Sequence, residues 1–313
     1  VQANSISAAM DVAFGIPHWA TGVALVLLSG LIIFGGLRTI ARFAELVVPV
    51  MALAYLLIAL VVVAMNITEL PGVFSLIVKS AFGLDQAGGG AIGYAISQAM
   101  MNGIKRGLFS NEAGMGSAPN AASATPYPPH PASQGYVQML GVFTDTIVIC
   151  TCTASIILLS GQFEPGSGIT GIELTQRALS HEVGAWGSTF IAIAILFFAF
   201  TSIVANYAYA ENNLIFLEHN HKGGLLIFRL FVLGMVMFGS MGELPTIWAM
   251  ADASMGLMAL TNLVAILLLS GVAVKLARDY NDQRKLGKIP TFDAAKYPEL
   301  HRQLEEGIWD NKK

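Results

Sequence analysis

Apolar runs alternate with short polar stretches along the whole of this 313-residue chain. His18 to Leu37, Leu46 to Met65, Val137 to Ser160, Ser188 to Tyr209, Leu225 to Met241 and Leu244 to Val274 hold at most one charged residue each. Several reach or exceed the roughly 20 residues that a helix needs to span the hydrocarbon of a bilayer. Six spanning helices are therefore predicted. A seventh segment, from Gly89 to about Ala122, is different in kind. Its apolar part, Ala91 to Met101, is only half a span long, and it runs directly into NGIKRGLFSNEAGMGSAPN. Gly103, Gly107, Gly114 and Gly116 weaken a helix there and Pro119 follows, so a break is predicted, with Asn102 to Gly107 unwound.

Composition fits that pattern. Apolar residues make up 55% of the chain and charged residues 12%, against about 25% charged in a typical soluble domain, so the bilayer is the expected solvent. Orientation follows from Lys and Arg, which stay on the cytosolic side. With the loop before His18 outside, Arg38, Arg42, Lys105, Arg106, Lys222, Arg229 and the tail from Lys275 face inward, and only Lys79 and Arg177 of 17 basic residues do not. This asymmetry requires the seventh segment to cross once, giving about seven crossings. A membrane domain over 1–274 and a cytosolic tail over 275–313 are expected, with one short helix after Pro298. The external stretch Gly161 to Trp186 holds GITGIELTQRALSHEVG, suited to a short surface helix that serves as a lid or as a passive connector. A start at Val1, with neither an initiator Met nor a signal peptide, suggests a piece of a longer protein.

Few residues carry obvious chemistry. Cys150 and Cys152 lie two apart in one apolar span and are expected to pack as thiols. The histidines, His18, His130, His181, His219, His221 and His301, fall in loops, at span ends or in the tail, and HNHK reads as a solvated turn. Backbone that leaves a helix at membrane depth survives only against protein or a watery cavity, and in secondary transporters such breaks mark ion and substrate sites. In FFAFTSIVANY, Phe198, Thr201 and Ser202 are spaced by three and four and share a helical face, so two hydroxyls and a carbonyl gather as hard oxygen ligands. Asp145, Glu211 and Asp252 lie in or near apolar spans, where ionisable groups are costly and usually functional. Asp145 is the best candidate for a gating or coupling carboxylate, and Glu211 is placed to snorkel at its span end.

GLFSNEAGMGSAP, with VQANSI at the start and MGLMALTNLVAILLLS near the end, resembles the sodium:alanine (alanine or glycine:cation) symporter family. The similarity runs over essentially the whole chain. It implies an all-α polytopic membrane protein built on the leucine-transporter inverted repeat, with this chain matching the end of core helix 3 through core helix 10. The first helices of that plan, including the broken helix 1 that supplies half of the substrate and sodium site, are missing here. The resemblance implies substrate-facing roles for Gln2 and Asn4 on helix 3, for Met101, Asn102, Gly103 and Ile104 on broken helix 6, and for Trp248 as an outer lid on helix 10. Asn4 and Gln2 suit helix capping as well, and Trp248 suits an interfacial anchor. On helix 8 it implies that Phe198, Thr201 and Ser202 bind sodium.

The function so implied is sodium-coupled symport of a small neutral amino acid, alanine or glycine, across the plasma membrane by alternating access. The expected partners are that amino acid and the lipid bilayer, with no nucleic acid, and sodium serves as coupling ion without a further cofactor. An intramembrane enzyme and an ion channel are the alternatives.

Overall fold

The computed structural model describes residues 1–35, 37–84, 89–123, 125, 128–164, 166–218, 222–302, 304 and 309, with backbone alone at 37–44, 89–91, 218 and 222. The described residues are mostly helical. Among the described residues six helices are long and apolar enough to cross a membrane: His18–Gly35, Glu45–Met65, Pro131–Leu159, Trp186–Leu217, Gly223–Met241 and Leu244–Lys285. These are the six apolar runs of the sequence, with ends moved by a few residues, except that the last runs 11 residues past Val274. His219 and His221 lie outside the described residues.

The chain divides into two compact units. The first comprises Val1–Ser110 and Asp145–Gly256. Its largest core forms among α1 (Gln2–Phe14), α2 (His18–Gly35), α10 (Trp186–Glu218) and α11 (Lys222–Met241). Ile6 and Ala9 of α1, Leu25 and Ile33 of α2, Phe200, Val204 and Tyr207 of α10 and Val236 of α11 are buried together there. α1 is inserted between longer helices, and that explains why six of its 13 residues are buried. A second core joins α3 (Leu37–Met65), α8 (Cys150–Leu159), α9 (Gly171–Val183) and α10 through Tyr55, Ala59, Val62, Ile156, Leu179 and Ile191. Elsewhere large apolar side chains stand outward, such as Leu31 and Leu46, as a lipid-facing surface requires.

α9 is the short helix expected at the outer surface, and it is packed rather than loose. Leu174, Thr175, Gln176, Ala178 and Leu179 are buried. The Gln176 amide donates to the carbonyls of Ala9 and Ser188 at 3.1 and 3.2 Å. Gly187 sits so close beneath α9 that a β-carbon there would meet the Leu179 backbone at 2.9 Å. These contacts favour the connector over the lid. α4 (Leu70–Phe82) had no counterpart in the sequence reading, because 13 residues are too short to register as a span.

The seventh segment departs from expectation in one respect. α5 runs unbroken from Gly89 to Asn111, so Asn102 to Gly107 is not unwound. Nothing lies within 4 Å of the space a β-carbon would fill at Gly103 or Gly107, and both keep helical torsions, at the ordinary cost of about 1 kcal/mol each. The break falls at Glu112–Gly116, where Glu112, Gly114 and Gly116 have φ of +54°, +90° and +97°.

That break belongs to the second unit, Asn111–Thr144 and Leu257–Lys313. Asn111 Oδ1 accepts from the Ala113 amide at 2.9 Å, and Asn262 of α12 (Leu244–Lys285) donates to the Gly114 carbonyl at 3.0 Å. A β-carbon on Gly116 would meet the Asn262 side chain at 3.4 Å. The polar turn is thus closed by an amide from the apolar run MGLMALTNLVAILLLS. In the same unit α6 (Ser117–Ser123) leads to α7 (Pro131–Phe143), capped by His130. His130 is fully buried; its Nδ1 accepts from Ala132 N at 3.1 Å and its Nε2 meets Asp279 Oδ2 at 3.2 Å. The tail closes over it: Phe292 packs edge-on to the imidazole and donates its amide to Pro129 O at 2.8 Å. Burial raises the pKa of the nearby Tyr297 phenol, and the Asp279 carboxylate adds to the rise. The short helix after Pro298 is present as α13 (Pro298–His301).

Candidate functional site

α10 places Phe198, Thr201 and Ser202 on one face, as their spacing requires. Thr201 Oγ1 lies 2.9 Å and Ser202 Oγ 3.1 Å from the Phe198 carbonyl. Three oxygens therefore converge in the core half of a membrane helix, with Thr201 buried. Both hydroxyls spend their hydrogens on one carbonyl, the usual habit of Ser and Thr in apolar helices. Their lone pairs remain available to a cation. The Tyr55 ring stands edge-on to Phe198 at 6.2 Å, and its hydroxyl is 2.6 Å from Thr153 Oγ1.

A second group of side chains joins α5 to the first turns of α12. Trp248 and Asp252 are one turn apart on α12, and Arg106 lies over both. Its guanidinium is 4.0 Å from the Trp248 ring centre and 2.6 Å from Asp252 Oδ1. Lys105 adds a 3.6 Å contact to Asp252, and Phe109 packs against Trp248 at 4.7 Å. The Arg106 guanidinium is thus held between a carboxylate and an aromatic face. Positive-charge counting puts Arg106 on the cytosolic side and the resemblance makes Trp248 an outer lid; in the structure the two side chains touch.

The remaining substrate candidates are scattered. Met101, Asn102, Gly103 and Ile104 lie on an intact stretch of α5 and are exposed, Met101 and Ile104 by 45% and 59%. Asn102 precedes Arg106 by one turn on the same face. Gln2 is half-buried in the first turn of α1. Asn4 is buried, and its amide nitrogen donates to Gly239 O and Gly242 O at 3.0 and 2.7 Å. Asn4 therefore caps the end of α11, filling carbonyls that a helix terminus leaves open.

One acid differs from its sequence reading. Glu211 does not snorkel: it is 4% exposed, with Oε1 at 2.8 Å from Arg229 Nη2. Arg229 Nε donates to Tyr207 Oη at 2.8 Å, and the guanidinium lies 5.3 Å from the Phe34 ring centre. A single Arg in one apolar run and a single Glu ending another was the signal for this pair. Asp145 accepts a hydrogen bond from the Ser110 hydroxyl at 2.6 Å.

Comparison with known proteins adds to this geometry. The chain is 48% identical over 312 residues to the uncharacterised transporter YaaJ of Escherichia coli (strain K12), covering 99% of this chain and 66% of that protein. It is 49% identical over 313 residues to the amino-acid carrier protein AlsT of Bacillus subtilis (strain 168), covering all of this chain and 65% of that one. A sodium/proton-dependent alanine carrier protein of Bacillus sp. (strain PS3) is 41% identical over 336 residues, at 100% and 73% coverage. The chain thus spans about two-thirds of the length of these relatives, which are named as transporters and carriers rather than enzymes. A family model described as the sodium:alanine symporter family matches residues 1–294, from α1 through the long polar end of α12 to the tail, and the chain belongs to that family.

Proposed function

We propose that the complete protein couples sodium entry to uptake of alanine, or glycine, across the plasma membrane, by alternating access, with its C-terminal tail in the cytosol. The family match supports the class of cargo and ion, and the relative from strain PS3 is named for sodium, protons and alanine. The observation that carries the reading within this chain is the convergence of Thr201 Oγ1, Ser202 Oγ and the Phe198 carbonyl on α10. Sodium prefers such hard oxygen ligands.

In this reading the well-packed set of α1, α2, α10 and α11 is the fixed scaffold. α5, with its exposed Met101, Asn102, Gly103 and Ile104, presents the amino-acid face, Gln2 of α1 supplies a further amide, and Trp248 with Arg106 closes the face. Asn4 holds the scaffold together rather than the substrate. The test is labelled alanine uptake by the complete protein in proteoliposomes. Uptake under an inward sodium gradient, and none without one, is expected. Uptake that ignores sodium removes the ion assignment, and no uptake of alanine or glycine under any gradient removes the cargo.

A further inference from the structure

The span Pro131–Leu159 holds one acidic or basic residue, Asp145, at the midpoint of its 29 residues. Roughly 20 Å of helix lies on either side. A carboxylate at that depth is among the costliest groups in a membrane protein, and it is kept with a counter-charge or for a function. Among the described residues no Lys or Arg forms an ion pair with it, and Lys105 and Arg106 of α5 are engaged by Asp252. What meets Asp145 is a hydroxyl: Ser110 Oγ is 2.6 Å from its Oδ2 and 3.3 Å from Cys150 Sγ. The helix is π-wound over Thr144–Ile149, a widening found mostly where a helix has a task beyond packing. The titratable groups on this span and on the helices packed against its second half include Tyr136, Cys150 and Cys152 on the span itself, Tyr55 on α3, Lys79 on α4, and Glu182 with His181 on α9. Of these, Cys150 alone shares a hydrogen bond with the Ser110–Asp145 pair.

A proton needs only one oxygen to hold it, and the Asp145 carboxylate beside a hydroxyl supplies that. We propose that Asp145 is a proton carrier in the transport cycle and that Ser110 is its positioning residue. The carboxylate takes up one proton facing one side of the membrane, becoming neutral, and returns to the anion by releasing that proton to the other side. No other bond forms or breaks. Ser110 serves both states, since a hydroxyl donates to the anion and accepts from the acid. When it accepts, its own hydrogen turns to Cys150 Sγ.

The inference rests on the transport reading above. It is tested with the complete protein in proteoliposomes holding a trapped pH dye and labelled alanine, at fixed sodium. The wild type is expected to move protons with alanine. Asp145→Asn is expected to lose that proton movement and the pH response of uptake, with gradient-driven uptake lowered about 5- to 150-fold, the usual span of a coupling term. Exchange of alanine for alanine at equal sodium persists in Asp145→Asn, and Asp145→Glu restores part of the proton movement. Ser110→Ala displaces the pH of half-maximal uptake. Proton movement by Asp145→Asn equal to the wild type overturns the proposal, as does wild-type alanine uptake without protons. If Asp145→Asn does not reach the membrane, an unchanged pH response in both Ser110→Ala and Asp145→Glu overturns it. Absence of wild-type uptake under every gradient defeats the transport reading first.

Discussion

Arg229 Nη2 lies 2.8 Å from Glu211 Oε1, and the same guanidinium donates to Tyr207 Oη from its Nε at 2.8 Å. The three residues tie α10 to α11 inside the apolar core, and Phe34 of α2 covers the guanidinium.

Removing one member of a buried pair leaves the other charge without compensation, at a cost of about 3–5 kcal/mol. Arg229→Ala is therefore expected to lower the unfolding midpoint of the detergent-solubilised protein sharply. Arg229→Met combined with Glu211→Leu is expected to lose far less, because no charge is stranded. Equal losses in the single and double variants would show that the pair is not an energetic unit.

Asn4 makes a second tie of this kind. Asn4→Ala strands the buried carbonyl of Gly239 and leaves that of Gly242 without its donor, and each unmet buried group costs about 1–3 kcal/mol. Asn4→Asp, which has no side-chain donor when ionised, is expected to be no better than Ala. Thermal unfolding followed by size-exclusion chromatography reads both.

At the helix break, Gly116→Ala puts a β-carbon at φ +97°, facing Asn262 at 3.4 Å. A left-handed residue other than glycine costs about 1–2 kcal/mol before any clash. Faster hydrogen exchange at 112–116 is expected, and Asn262→Ala should reproduce it by freeing the Gly114 carbonyl. Exchange unchanged in both variants would mean that the turn holds itself.

The six long spans were legible because a bilayer demands about 20 apolar residues and little else satisfies that demand. The break was legible as a stretch but not to the turn. Gly103, Gly107, Gly114 and Gly116 all pointed to it, yet a glycine bends nothing unless a partner claims the freed backbone, and the partner at Gly114, Asn262, lies about 150 positions away in sequence. Asn4 shows the same limit from the other side, since one sequence suits an amide for substrate or for a helix end, and its bonds to the carbonyls of Gly239 and Gly242 span more than 230 positions. The Phe198, Thr201 and Ser202 cluster was fully legible, because it depends on the helical period alone. The Arg106 and Trp248 contact was not, because charge counting gives the side of a loop and no depth within a helix.

The most direct measurement is radiosodium influx into proteoliposomes carrying the complete protein, with and without external alanine. Alanine is expected to stimulate sodium entry, and Thr201→Ala with Ser202→Ala is expected to raise the sodium concentration for half-maximal flux by about tenfold or more, roughly 1.4 kcal/mol of lost binding. Sodium entry indifferent to alanine, or a double variant with unchanged sodium dependence, would contradict the account.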